Sequence, residues 1–398
     1  MTTGSTNPWK KILKEQQITN AKRWLQLLQN HNHKARFILN DYENILRALE
    51  HTLQTPDTFP LAYNLIQAIF TDSLGYADWE RWQSYLNKAR KQATTPDRAK
   101  EHARLTELLA SLYYHQGDLK KAYTLGTQAA EEYLHIPAQA EYARSLSQLA
   151  LYADQLGLAA ESFQLIEKAQ QLAKTISNEQ VLAASWLSLS EIYRRRRNWQ
   201  QAMAAAEQAH NLYQLLQQPR NVLQSRLTML HIWAEQGEWM QVEIIAKALS
   251  QDAALDGDLL MLCRLKNNLG IALFNQARYQ DAEKAWQEAL QLQSLMHEPA
   301  ELAGLYNNLG MVYTKLHEWE TAETMLKAAA KIYKKLGDTY NWANALDNLA
   351  DLYAAQGCTT AYYNTLKEAI DILTPLANIT HIKALLEVIT HRHQNNLP

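Results

Sequence analysis

Two groups of side chains in this sequence have types and spacings that could do chemistry, and the chemistry is recognition rather than bond-making. Asn268, Asn308 and Asn348 stand 40 residues apart, with Asn267, Asn307 and Asp347 directly before them. An asparagine amide offers both a donor and an acceptor, which suits it to holding the backbone of an extended peptide without demanding a particular sequence. The same amides would equally bond neighbouring helices and fix their stacking, so both roles stay open at this point. The run Arg194-Arg195-Arg196-Arg197 is a candidate anion site, because planar guanidinium forks match a carboxylate or a phosphate. It also ends a predicted helix, where cations are favoured by the dipole for structural reasons alone. Histidines number 13, yet His297-Glu298 and His317-Glu318 both lack the second histidine of a His-Glu-x-x-His zinc helix. His391 and His393, two apart on a helix, point in different directions. There is no Gly-x-Ser-x-Gly elbow and no Gly-x4-Gly-Lys-Ser/Thr phosphate loop. The expectation is a protein that is not an enzyme and needs no cofactor or metal.

The elements that must position these groups follow from a register that never slips. Gly117, Gly157, Arg197, Gly237, Ala277, His317 and Gly357 recur every 40 residues. Two residues later come Leu119, Ala159, Trp199, Trp239, Tyr279, Trp319 and Thr359, and small residues such as Ala122, Ala202, Ala282 and Ala322 follow at the same interval. Within each period the apolar residues fall at three- and four-residue spacings on two stretches of about 17 residues, the pattern of two amphipathic helices joined by a tight turn. In residues 302–336, Tyr306, Leu309, Gly310 and Tyr313 line one helix, and Trp319, Ala322, Leu326 and Ala329 line the other. A glycine or polar residue at the turn accepts the left-handed backbone that ends the first helix. A fixed period of this size predicts an all-α helical solenoid, in which each unit buries a face only by stacking on its neighbours. The first helices then align as a ladder along one wall, and the tryptophans that open the second helices read as core packing rather than base-stacking platforms.

The units holding Asn267-Asn268-Leu269-Gly270 and Asn307-Asn308-Leu309-Gly310, with their later tyrosine, alanine, aromatic and alanine, resemble the tetratricopeptide repeat. The family's usual period is 34, and the longer unit here is similar to that of kinesin light chains and of sensor regions in bacterial signalling proteins. The resemblance covers seven units from about residue 102 to 373. It implies a right-handed α-α superhelix of about seven to eight helix-turn-helix repeats, whose concave wall binds a protein or peptide partner. On that wall it places Arg264 and Lys315 beside the asparagine pairs. Chaperone-binding members need a lysine where this chain has Glu107, Ser147, Leu187, Leu227, Asn267, Asn307 and Asp347, so binding a chaperone's carboxyl terminus is disfavoured.

Further upstream, the segment Asp41-Tyr42-Glu43-Asn44-Ile45-Leu46-Arg47-Ala48-Leu49, followed by Leu61-Ala62, Trp79 and Trp82, is similar to the start of the repeat region in bacterial STAND signalling ATPases. The resemblance implies the sensing arm of such a protein without its ATPase domain, an adaptor or sensor in bacterial signalling or defence. The organisation expected is a helical segment over 1–58, a divergent first repeat over 59–98 in which Ala77, Trp79, Trp82 and Ala89 continue the register, seven repeats over 99–374, and a capping helix with tail over 375–398. A solenoid grows without one closed core, so this reads as a single extended domain.

Composition fits that picture. The 398 residues are 20% charged and 47% hydrophobic, with a formal net charge of −2, which gives no bulk attraction to nucleic acid or anionic membrane. Cys263 and Cys358 are the two cysteines, too few for a disulfide framework. The opening residues lack the basic and apolar regions of a signal peptide, and no apolar run is long enough to span a bilayer, so a cytoplasmic location is expected. Two other function classes remain: a small-ligand sensor, and a regulatory subunit of an enzyme or nucleic-acid complex that docks by its outer surface.

Overall fold

The computed structural model describes residues 8–30, 34–73, 78–256, 259–294, 299–377 and 380–394. Ala77, His297, Glu298 and the tail from residue 395 lie outside them. Among the described residues the regular structure is entirely helical, with nineteen α-helices, and no helix is long and apolar enough to cross a membrane. The fold is an α-helical repeat solenoid.

The chain divides into two compact units, Met1–Gln236 and Gly237–Pro398. The first holds α1 (Pro8–Asn30), α2 (Lys34–Thr52), α3 (Phe59–Ser73) and α4 (Trp79–Gln92), then the hairpins α5 (Ala99–His115) with α6 (Leu119–Leu134), α7 (Gln139–Gln155) with α8 (Ala159–Thr175), α9 (Glu179–Arg195) with α10 (Trp199–Leu215), and finally α11 (Pro219–Gln236). The second holds α12 (Trp239–Asp256), α13 (Leu259–Asn275) with α14 (Tyr279–Gln293), α15 (Pro299–Lys315) with α16 (Trp319–Leu336), α17 (Thr339–Ala355) with α18 (Thr359–Leu373), and α19 (Thr380–Gln394).

The 40-residue register is a backbone fact. Gly117, Gly157, Arg197, Gly237, Ala277, His317 and Gly357 all have positive φ, from 57° to 83°. At the first of these turns Asp118 N donates to Tyr113 O (3.0 Å) and Gly117 N to Tyr114 O (3.1 Å), so two orphan carbonyls of α5 are satisfied as the chain reverses. Arginine, alanine and histidine hold the same left-handed conformation at a cost of about 1 kcal/mol each.

Small residues then set how closely the two helices of a hairpin approach. A Cβ on Gly270 would lie 2.5 Å from Trp286 Nε1, and one on Gly310 would lie 2.7 Å from Leu326 Cδ2. Trp286 is 1% exposed and is the aromatic plug of its hairpin. The turn tryptophans Trp199, Trp239 and Trp319, expected in the core, are instead only half-buried. Trp199 and Trp319 open the second helix at the rim of their hairpins, and Trp319 packs edge-on against the His317 ring at 4.9 Å. In the amino-terminal part, Ile45, Leu46, Leu49, Leu65 and Ile66 form a fully buried centre. There Trp82 Nε1 donates to Tyr42 Oη at 3.0 Å.

The two kinds of helical glycine should respond oppositely to alanine. Gly310→Ala forces Leu326 aside, an overpacking that costs about 1–3 kcal/mol and outweighs the gain in helix propensity. At Gly304 a new Cβ meets only Tyr333 Oη at 3.5 Å, so Gly304→Ala should stabilise by about 0.5–1 kcal/mol. Denaturant melts of the two variants should shift in opposite directions, and a common shift would contradict this packing.

Candidate functional site

The first helix of each hairpin carries the side chains singled out by the sequence, and in the carboxy-terminal unit these helices lie side by side. Asn267 Oδ1 accepts from Trp286 Nε1 (3.0 Å) within its own hairpin and from Asn308 Nδ2 (2.8 Å) on the next first helix. One repeat later Asn307 Oδ1 accepts from Asn348 Nδ2 at 2.9 Å. The two columns therefore differ. Asn267, half-buried, and Asn307, 7% exposed, use Oδ1 to accept across the helices, whereas Asn308 and Asn348, both half-buried like Asn268, donate through Nδ2. The Oδ1 atoms of Asn308 and Asn348 accept no hydrogen bond among the described residues.

Asp347 breaks the asparagine pattern and meets the last helix instead. Arg392 Nη1 on α19 donates to Asp347 Oδ1 at 2.5 Å, its other nitrogen reaches Asp351, and its guanidinium lies 5.9 Å from the centre of the Tyr362 ring. Burial pushes the Asp347 carboxyl up to about 6, with Arg392 opposing. Of the two cations expected on this row, Arg264 donates to Glu301 Oε1 (2.7 Å). Lys315 is exposed and has no partner among the described residues.

In the amino-terminal unit the equivalent row is more strongly charged. Glu107 is 5% exposed, and its Oε2 accepts from Arg104 (2.7 Å), from Arg144 (2.8 Å) and from Tyr133 Oη (3.3 Å). Burial alone would lower the pKa of Arg144, but Glu107 beside it holds the guanidinium charged and moves it up. The four-arginine run is mostly engaged in the same way. Arg194 pairs with Glu191 (2.7 Å) and with Glu235. Arg195 donates to Glu191 (2.7 Å) and to Tyr114 Oη (2.8 Å). Arg196 pairs with Asp154 (2.5 Å) and stacks 4.8 Å from the Phe163 ring centre. Arg197, at the left-handed turn, is exposed and has no partner among the described residues. The four side chains are thus not gathered on one anion: Arg194 and Arg195 share Glu191, Arg194 also reaches Glu235, and Arg196 turns to Asp154. No group of three or more His, Cys, Asp or Glu side chains poised to hold a metal occurs among the described residues.

Two segments of the carboxy-terminal unit match models of the tetratricopeptide repeat, residues 263–294 and 301–360. The chain carries tetratricopeptide repeats. No curated protein matches the sequence. Among solved structures, a STAND protein with a tetratricopeptide repeat sensor from Pyrococcus horikoshii is similar over 90% of this chain and 55% of its own, at 14% identity and a TM-score of 0.60. The chain thus spans about half the length of that protein. RapI in its apo form is similar over 82% of this chain and 96% of its own, at 12% identity and a TM-score of 0.53. A Rap protein complexed with Competence and Sporulation Factor is similar over 86% and 98%, at 11% identity and a TM-score of 0.50. At these identities the likeness is one of fold.

Within these tetratricopeptide repeats, sequence reasoning missed the polar pairs that tie a second helix to the following first helix. Tyr313 Oη donates to Glu283 (3.3 Å), and Tyr353 Oη donates to Glu323 (2.7 Å). Both residues recur at 40, so the signal was present in the register. Glu243, forty residues before Glu283, occupies the same column with other partners, receiving Lys247 (2.6 Å), Gln276 (3.0 Å) and Arg278 (2.9 Å).

The acid dependence of stability follows from these pairs, with opposite signs. Burial opposes ionisation of Glu243, but the bonds from Lys247, Gln276 and Arg278 prevail and hold it down at about 2, against an ordinary 4.5. Its stabilisation is complete above about pH 4.5 and is lost as pH falls towards 2. Asp347, raised from 3.8 to about 6, instead favours the folded state when protonated, so its contribution weakens as pH rises from about 4 to 6. Unfolding midpoints measured against pH should therefore lose part of their fall below pH 4.5 in Glu243→Gln. An unchanged acid limb in that variant would contradict the assignment.

Proposed function

We propose that the chain is a non-enzymatic interaction scaffold, an adaptor or sensor, which holds an extended segment of a protein partner on the first-helix row of the unit Gly237–Pro398. The observation that carries this reading is the half-buried column Asn268, Asn308 and Asn348. It presents one amide per repeat, two of them held by Asn267 and Asn307 with a carbonyl oxygen left open. Amides fixed in this way lose little freedom on binding, and their spacing by repeat suits main-chain groups rather than a particular side chain. Arg264 and Lys315 lie on the same helices as the column, Arg264 matched by Glu301 and Lys315 exposed without a partner among the described residues. On this reading Arg194, Arg195 and Arg196 act in the stack of their own unit rather than on a ligand, because an incoming anion would have to displace Glu191, Glu235 or Asp154.

The fold likeness to a STAND sensor and to Rap proteins supports a sensing role inside the cell, in bacterial signalling or defence, with the effector as a separate partner. Phage-displayed random peptides selected on the wild-type chain and then titrated by fluorescence anisotropy should bind an Asn268, Asn308, Asn348→Ala triple variant at least about tenfold more weakly. The variant should retain the wild-type circular dichroism. Selected peptides that bind both proteins equally would move the function away from this row.

A further inference from the structure

The unit Met1–Gln236 contains a cleft of about 660 Å³ bounded by the end of α6, the turn into α7 and the outer side of α8. Its floor is aromatic and apolar, with Tyr133 at 1% and Tyr142 at 8% exposure, joined by Ile136 and Leu172. Leu134, 56% exposed, stands at its edge. That volume falls in the range of small-molecule sites, which are mostly apolar with a few polar groups that fix orientation.

One polar pair is placed to do the fixing. Lys168 Nζ donates to Tyr142 Oη at 2.8 Å and lies 5.3 Å from the centre of that ring. Several exposed lysines of this chain are neutralised by an acid one turn away, as Lys121 is by Asp118, Lys247 by Glu243 and Lys327 by Glu323. Around Lys168 the corresponding positions are Gln164, Leu165, Gln171 and Leu172, and among the described residues no carboxylate pairs with it. Because Tyr142 Oη accepts from the ammonium, its own proton is free for another acceptor. Ammonium and hydroxyl are thus two donors 2.8 Å apart, a separation suited to the two oxygens of one carboxylate.

The repeat does not require this arrangement. Forty residues on, Tyr133, Tyr142 and Lys168 are replaced by Ala173, Leu182 and Gln208. Their coincidence across α6, α7 and α8 is therefore a local feature laid over the scaffold.

We infer that this cleft binds a small hydrophobic monocarboxylate, its carboxylate held by Lys168 and Tyr142 and its hydrocarbon body against Ile136, Leu172 and Leu134. The site is independent of the asparagine column and of the peptide reading. Isothermal titration of the full chain with octanoate should show saturable binding at one site per chain. Octanol, which keeps the tail and lacks the charge, should bind at least about tenfold more weakly, and so should octanoate to Lys168→Met. Tyr142→Phe, which preserves the ring and loses the second donor, should weaken octanoate by a smaller factor. Lys168 is exposed, so its substitution leaves the fold intact, as the circular dichroism of the variant would verify. The absence of saturable octanoate binding, equal affinity for octanol, or unchanged affinity in Lys168→Met would each overturn the inference.

Discussion

The interaction on which everything else depends is the left-handed reversal between the two helices of each hairpin. It recurs at Gly117, Gly157 and Arg197 in one unit and at Ala277, His317 and Gly357 in the other, and it fixes where the second helix of each of these hairpins begins. An α-helix turns 100° per residue, so a hairpin longer or shorter by one residue would rotate its first helix out of phase with the next. The pairings seen here need that phase. Asn267 with Asn308, Asp154 with Arg196, and Arg264 with Glu301 are separated by 41, 42 and 37 residues, which is one repeat plus or minus a fraction of a turn. Alanine, arginine and histidine accept an unfavourable φ at three of these turns because the stacked neighbours gain more from staying in register than the turn loses.

Given that phase, two scales of packing follow. Within a hairpin, glycines such as Gly270 and Gly310 sit under Trp286 and Leu326, and the separation of the helices is set by the absence of a Cβ. Between hairpins, polar bonds take over. Glutamates on second helices receive tyrosines from the next first helix, and asparagines on first helices receive asparagines. Buried polar groups carry a desolvation cost unless paired, so these ladders specify which helix lies beside which, while the apolar faces supply most of the stabilisation.

The repeat architecture was legible in the sequence because periodicity survives even where residues change. The turn holds at Ala277 and His317 although neither is glycine, and the position mattered more than the residue. The site was legible only as a set of columns. Nothing in the sequence distinguished Asn267, whose oxygen accepts from Trp286 and Asn308, from its neighbour Asn268, because a helical column specifies a face to within about 100° and the two differ by that amount. The arginine run misled for a related reason. Four adjacent charges on a helix fan over about 300°, so Arg194 and Arg195 share Glu191 while Arg194 also reaches Glu235 and Arg196 reaches Asp154, and only such three-dimensional neighbours reveal it. The cleft beside Lys168 left no trace in the register, since Tyr133, Tyr142 and Lys168 do not recur together forty residues on.

The difference between the two asparagine columns also constrains how such a scaffold can recognise anything. A stack that must satisfy its own buried polar groups leaves for a partner only what remains after stacking. On the row from α13 to α17 the remainder is regular, one open carbonyl on Asn308 and another on Asn348, each oriented by the amide behind it. On the row from α5 to α9 the charges are largely matched internally, Glu107 by Arg104 and Arg144 and Glu191 by Arg194 and Arg195. A ligand there would compete with bonds that hold adjacent repeats together, whereas a ligand on the asparagine row would add to them. Binding that adds to the ladder stabilises the bound arrangement of the helices, and by linkage the same spacing of the helices sets the affinity. Recognition and stacking in this unit are thus two uses of one row of amides.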